Sequence, residues 1–117
     1  MTNCIFCKIG KGLIPSTKVF EDEYFFIIED IAPMAAVHYL AIPKRHYAGL
    51  SDMQASDGDM LGHMFSTIGM LEKQLGVSGG YRLVINQGDD GGQTVGHLHV
   101  HIMGGQKLPF HDLKELR

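Results

Sequence analysis

From His97 to Met103 the chain reads His-Leu-His-Val-His-Ile-Met, and so strict a two-residue alternation is what a β-strand with one buried face requires. Alternate side chains of a strand share a face, so the three imidazoles project together while Leu98, Val100 and Ile102 enter the core behind them. Same-face neighbours lie about 7 Å apart, which lets three rings surround a group of phosphate size without all touching one another. Histidine is also the side chain best suited to move a proton or attack an electrophile near neutral pH. A single strand histidine is usually structural and a pair is often metal-binding, but three in alternation point to chemistry or metal binding.

One strand needs a sheet, and 117 residues suffice for a single domain with one core. Thr17–Glu21, Tyr24–Asp30, Val37–Ile42 and Tyr81–Asn86 read as four further strands, with Asp22-Glu23 as the first turn. Met60, Leu61, Met64, Phe65, Ile68, Leu71 and Leu75 follow helical spacing between Ser56 and Gly76, with Ser56 and Asp59 resembling a capping box and Gly76 a stop. A short turn or helix is expected near Ile5–Gly10. The expected fold is α+β: a five-stranded antiparallel sheet, one long helix and a short N-terminal helix, residues 1–117 forming one domain. The edges and the open face of such a sheet make a dimer the expectation.

Composition excludes several classes. Ten Lys and Arg against thirteen Asp and Glu give a formal charge of −3, and the cations form no basic stripe, so polymer nucleic acid is not an expected partner. No segment approaches the roughly 20 continuous apolar residues of a membrane span. The start, Met1 to Lys8, has no basic region followed by an apolar run, so a cytoplasmic location is expected.

The connection from Asn86 to Gly96 is rich in glycine and leads directly into the histidine strand. Such a loop can bring backbone N–H groups to an anion, and Asn86, Gln93 and Thr94 add neutral donors. It also reads as an ordinary turn between two strands. No Gly-x-x-x-x-Gly-Lys-Ser/Thr run is present, which disfavours a P-loop NTPase. If a backbone carbonyl held Nδ1–H of the middle histidine, His99 would present a bare Nε2 able to attack phosphorus, and His101 could hydrogen-bond the phosphoryl oxygens and protonate the departing group.

Taken with Asn86-Gln87-Gly88, Asp90 to Thr94 and Gly104-Gly105, the triple-histidine segment resembles the histidine triad nucleotide-binding proteins, in the bacterial type of their purine nucleoside phosphoramidase branch. Ile5 to Ile9, Ile14-Pro15, Phe20 to Asp22, Asp30 to Pro33, His38 to His46 and Gly80 to Arg82 are similar to further landmarks of that branch. The resemblance implies a homodimer whose two sheets join, and a purine nucleoside monophosphate or phosphoramidate as ligand. It implies His99 as nucleophile and His101 as phosphate ligand and proton donor, with Asn86, Gly92, Gln93 and Thr94 around the phosphate and Asp30 on the ribose hydroxyls. Phe6, Ile9, Ile28 and Ile31, with Ile5 and Ile14, match its apolar base slot.

The implied reaction cleaves the P–N bond of a nucleoside phosphoramidate through a covalent nucleotidyl-histidine. A regulatory module with incidental catalysis, or a dinucleoside polyphosphate hydrolase, are the alternatives. Two features depart from the pattern: Glu29 stands where a histidine often precedes the ribose aspartate, and the chain has no tryptophan. The ending, Gln106 to Arg117, matches least.

Cys4-x-x-Cys7 has the spacing of a zinc knuckle and needs two further ligands. His38 and His97 are the candidates for a structural zinc site, as many similar bacterial proteins imply; two reduced thiols near a turn is the alternative. No organic cofactor is expected. His46, His63 and His111 read as isolated, solvated or structural histidines.

Overall fold

The alternating segments pair into one sheet, seen in a computed structural model that describes residues 3–109. Its strands are β1 (Lys18–Glu21), β2 (Phe25–Glu29), β3 (Val37–Pro43), β4 (Tyr81–Val84) and β5 (Val100–Gly104). The order is β1-β2-β3-β5-β4, every neighbouring pair antiparallel. The expected α+β fold is what forms, and β5, the last strand among the described residues, inserts between β3 and β4. Among the described residues no helix is long and apolar enough to cross a membrane.

Alternation gives the sheet two distinct faces. Phe25, Ile27, Ala41, Val100 and Ile102 pack with Met64 and Ile68 of α2 (Gly58–Met70), Leu75 of α3 (Glu72–Leu75) and Val77. Phe26, Ile28, Leu40 and Ile42 point the other way and pack against Phe6 and Ile9 of α1 (Ile5–Gly10). His101 lies directly opposite Leu40 in the ladder, so it shares the α1 face, while Val100 and Ile102 anchor the strand in the α2 face.

The strands shift from their expected ends by one or two residues, β4 stopping at Val84, and two elements change more. The single long helix is two helices divided at Leu71, whose N–H is shared between the Thr67 and Ile68 carbonyls and whose φ of −97° and ψ of 6° leave the helical range. Three glycines, at 58, 62 and 69, make α2 a weak helix former, so buried Met64, Thr67 and Ile68 hold it on the sheet. Its capping arrangement also starts earlier than Ser56: the Gln54 N–H donates to the Asp57 carboxylate at 2.8 Å. Gly76 ends α3 at a φ of +77°, where an L side chain would be strained.

The histidine strand is the second shift. Residues 97–99 precede β5, because the Leu98 N–H donates to the Tyr47 carbonyl at 2.7 Å outside the ladder.

His63 is not isolated. Its Nε2 lies 2.6 Å from Oδ2 of Asp22, tying α2 to the β1–β2 turn. Burial pushes the Asp22 carboxyl up, but the His63 hydrogen bond and the N–H groups of Tyr24 and Phe25 together leave it below its ordinary value. A depressed carboxyl contributes stability above its unfolded pKa of about 3.9 and loses it as pH falls through the folded value. Asp22→Asn is therefore expected to be less stable than the parent chain at pH 5–7, with the difference vanishing at pH 2–3; urea titrations across that range check it.

Candidate functional site

Register decides which histidines meet. His38 pairs with Met103, six residues along the strand direction from His97, a separation of about 20 Å. His38 therefore cannot join Cys4, Cys7 and His97, and the expectation that it does is corrected. Its actual neighbours are Asp30 and His101.

These three form a hydrogen-bonded relay. The Met34 N–H donates to His38 Nδ1 at 3.0 Å, so the ring proton of neutral His38 sits on Nε2. That nitrogen lies 2.9 Å from Nδ1 of His101 and 3.3 Å from Oδ2 of Asp30. Nδ1 of His101 is then the acceptor, and its own proton is placed on Nε2. Burial, then the neighbouring His99 and His38 rings, hold the His101 pKa below the ordinary histidine value against the opposing pull of Asp30.

His99 is fixed in the complementary way. Its Nδ1 lies 2.7 Å from the His97 carbonyl, which accepts a hydrogen bond from it, so the ring proton sits on Nδ1 and Nε2 is bare. The His99 and His101 rings stand 5.1 Å apart, and Phe6 meets His99 edge-on at 5.2 Å. A nucleophilic nitrogen and an N–H donor thus adjoin on one face of the sheet, in tautomers set by their hydrogen-bond partners.

The third triad histidine faces a different group. His97 is wholly buried, and its Nε2 donates to the Pro43 carbonyl at 2.8 Å, so Nδ1 carries a lone pair. That nitrogen lies 3.3 Å from Cys4 Sγ, 3.5 Å from Cys7 Sγ and 3.1 Å from His46 Nδ1, and Cys7 Sγ is 3.2 Å from His46 Nδ1. Burial pushes the His97 pKa down to about 4 despite the Pro43 contact, and burial together with Cys4 pushes the Cys7 thiol up.

All four donor atoms lie within 4.8 Å of one another. Tetrahedral zinc with two thiolates and two imidazoles would set donor–donor edges of about 3.3–3.8 Å, so the cluster fits that ion. The sequence reading of His46 as isolated is thereby overturned. The structure brings it there because β3 turns at Pro43, whose carbonyl meets the His97 ring, and His46 follows directly on that turn.

The glycine-rich loop is held by Gln93. The Gly88 N–H donates to Gln93 Oε1 at 2.8 Å, and Nε2 donates to the carbonyls of Ala48 at 2.8 Å and Val95 at 3.0 Å. Both amide protons are engaged, so the Gln93 side chain shapes the loop. Gly92 adopts a φ of +77°, and a Cβ on Gly91 would sit 2.4 Å from the Gln87 carbonyl oxygen, which accounts for the paired glycines. Gln93→Leu would strand three polar groups and is expected to cost about 1–3 kcal/mol, measurable by denaturant titration.

Of the expected slot residues, Phe6, Ile9 and Ile28 pack in one buried cluster with Ile14 and Val95 at its margin. Ile31 is fully exposed and Ile5 is 47% exposed, outside that buried cluster. Asp30 Oδ1 accepts the Ala32 N–H at 2.8 Å. Asn86 is half-buried and Thr94 exposed beside the loop. His111 lies outside the described residues.

A family model described as the HIT domain matches residues 11–108. The chain belongs to the HIT domain family. A HIT-like protein of Chlamydia muridarum is 46% identical over 104 residues, covering 89% of this chain and 82% of its own length. Among solved structures, a histidine triad protein from Clostridium difficile superposes with a TM-score of 0.90 at 43% identity, over 96% of this chain and 98% of the other. A HIT family hydrolase from Legionella pneumophila gives 0.87 at 41% identity, over 92% and 97%. A zinc-bound histidine triad family protein from Mycobacterium smegmatis gives 0.76 at 31% identity, over 91% and 77%. In this HIT chain the triad is divided, with His99 and His101 on the relay side and His97 in the thiol cluster.

Proposed function

We propose that this HIT protein is a nucleotide hydrolase that cleaves the P–N bond of purine nucleoside phosphoramidates, such as an adenosine phosphoramidate. The observation that carries the reading is the His99 ring, whose Nδ1–H is held by the His97 carbonyl so that a bare Nε2 stands beside the His101 donor. Phosphoryl transfer to an imidazole nitrogen needs both, a lone pair aimed at phosphorus and a proton for the nitrogen that leaves.

In the first half-reaction His99 Nε2 forms a bond to phosphorus as the P–N bond breaks. The leaving nitrogen departs as an amine, taking the Nε2 proton of a doubly protonated His101, whose charge the Asp30 carboxylate balances and which ends the step as the neutral ring. The His38–His101 pair holds that proton beforehand, with the Asp30 carboxylate alongside at 3.3 and 3.9 Å. In the second half-reaction water attacks the nucleotidyl-histidine, its proton returns to His101, and a nucleoside monophosphate leaves with His99 restored.

Asn86, Thr94 and the backbone around Gly92 border the phosphate, Asp30 takes the ribose hydroxyls, and the Phe6, Ile9 and Ile28 cluster receives the base. Cys4, Cys7, His46 and His97 hold a structural zinc ion, supported by the donor geometry and by the zinc-bound relative. Zinc would supply charge compensation for the two thiolates and fix the donors in place. A homodimer belongs to the same reading: β4 is an edge strand with Leu83 exposed on it. A cytoplasmic setting would keep both thiols reduced.

The test is incubation of the purified chain with an aminoacyl adenosine phosphoramidate, followed by chromatography for AMP and free amine, with rapid acid quench and mass spectrometry for the covalent adduct. AMP release with an adduct on His99 is expected. Tight AMP binding with no turnover would replace the hydrolase by a binding module.

A further inference from the structure

We propose that the thiol–imidazole cluster is a positive allosteric site for nucleotide binding, coupled to His99 through Phe6 and the His97 backbone. The proposal rests on the nucleotide reading above and adds a regulation of that site. Two short paths join the cluster to His99. His97 places its imidazole among Cys4, Cys7 and His46, while its own carbonyl orients the His99 ring. Phe6 lies between the two cysteines in sequence and sets its ring edge-on against both His97, at 5.9 Å and 84°, and His99, at 5.2 Å and 73°.

The element carrying that ring cannot hold itself in place. α1 has six residues, far short of the roughly 12–15 that give even marginal helicity in isolation. Its position depends on the buried side chains of Phe6, Cys7 and Ile9 and on the thiols at its start. With a zinc ion held, both cysteines and His97 are fixed to one centre, and the Phe6 wall and His99 orientation are fixed with them. With the ion withdrawn, α1 is tied by apolar contacts and by the weaker thiol–imidazole contacts of Cys4 and Cys7 with His97 and His46, and the wall loosens. Besides its place in the base slot, Phe6 thus positions the reacting nitrogen through its edge-on contact with His99.

Coupling of this kind is reciprocal: whatever factor zinc contributes to nucleotide affinity, nucleotide contributes to zinc affinity. AMP is titrated calorimetrically into zinc-loaded and chelator-stripped full-length protein, and zinc affinity is measured with a competing chromophoric chelator with and without AMP. We expect AMP to bind at least about tenfold more weakly to the stripped form, within the usual range of allosteric coupling, and zinc affinity to rise by the same factor with AMP. Phe6→Leu, which keeps an apolar side chain, should retain one equivalent of zinc while the factor falls towards one.

Equal AMP affinity in both forms, or an unchanged factor in Phe6→Leu, overturns the coupling. So does global unfolding of the stripped protein by circular dichroism, since α1 alone is expected to release. AMP binding to neither form refutes the nucleotide reading instead, and the coupling is then read from His99 itself. Nitrogen-15 spectra at one fixed pH should show a single Nδ1–H tautomer in the loaded protein and a mixture after stripping; an identical tautomer in both overturns it.

Discussion

His99→Ala is expected to lower kcat for an adenosine phosphoramidate by at least about 10⁴-fold, a barrier increase of about 5.5 kcal/mol, with no covalent adduct in acid-quenched samples. The magnitude follows from what the side chain supplies. It provides the bond to phosphorus, and removing it leaves direct attack by a water that no residue of the site is placed to activate as effectively. The fold should survive, because Val100 and Ile102 on the opposite face carry the packing of this strand. Steady-state kinetics check the loss, and a near-parental rate would remove His99 from the nucleophile's role. His101→Ala should behave differently: an adduct can still form with substrates whose leaving group needs no proton.

The second large effect concerns the metal. His46→Ala and Cys7→Ser are each expected to abolish stoichiometric zinc, whereas His38→Ala should retain one equivalent. Loss of a ligand that binds only the folded chain removes about 4 kcal/mol at free zinc a thousandfold above Kd, a fall in Tm of roughly 10–20 °C for a domain of this size. Metal analysis on each variant with calorimetric unfolding separates the assignments. Zinc lost in His38→Ala and kept in His46→Ala would reverse them.

Much of this was legible in the chain. The period of two gave the strand from Val100 onward and the placing of Val100 and Ile102 in the core, because alternation is a local property; that 97–99 leave the ladder and that His97 is itself buried it did not give. The apolar rows of β2 and β3 and the left-handed stop at Gly76 are equally local. Which histidine meets which thiol is not local. It depends on the pairing of His38 with Met103 and on the turn after Pro43, and register is a relation between distant segments.

The loop-holding role of Gln93 was hidden for a related reason. A side-chain amide in a glycine-rich loop looks like a ligand donor until the carbonyls of Ala48 and Val95, brought close by the fold, take both its protons. The break at Leu71 left no comparable trace, since the apolar spacing runs through it.

The place of β5 in the sheet carries a consequence for how the site responds to ligands. It is hydrogen-bonded on both sides, to β3 and to β4, so its backbone amides belong to the slowest-exchanging class, opening only with most of the molecule. The proton relay is thus built on the least deformable part of the chain, whereas α1 and the 86–96 loop lie outside the ladder. Under the proposed reaction, adaptation to different leaving groups falls to those two segments, with the His101 donor on β5 as the fixed reference against which they move.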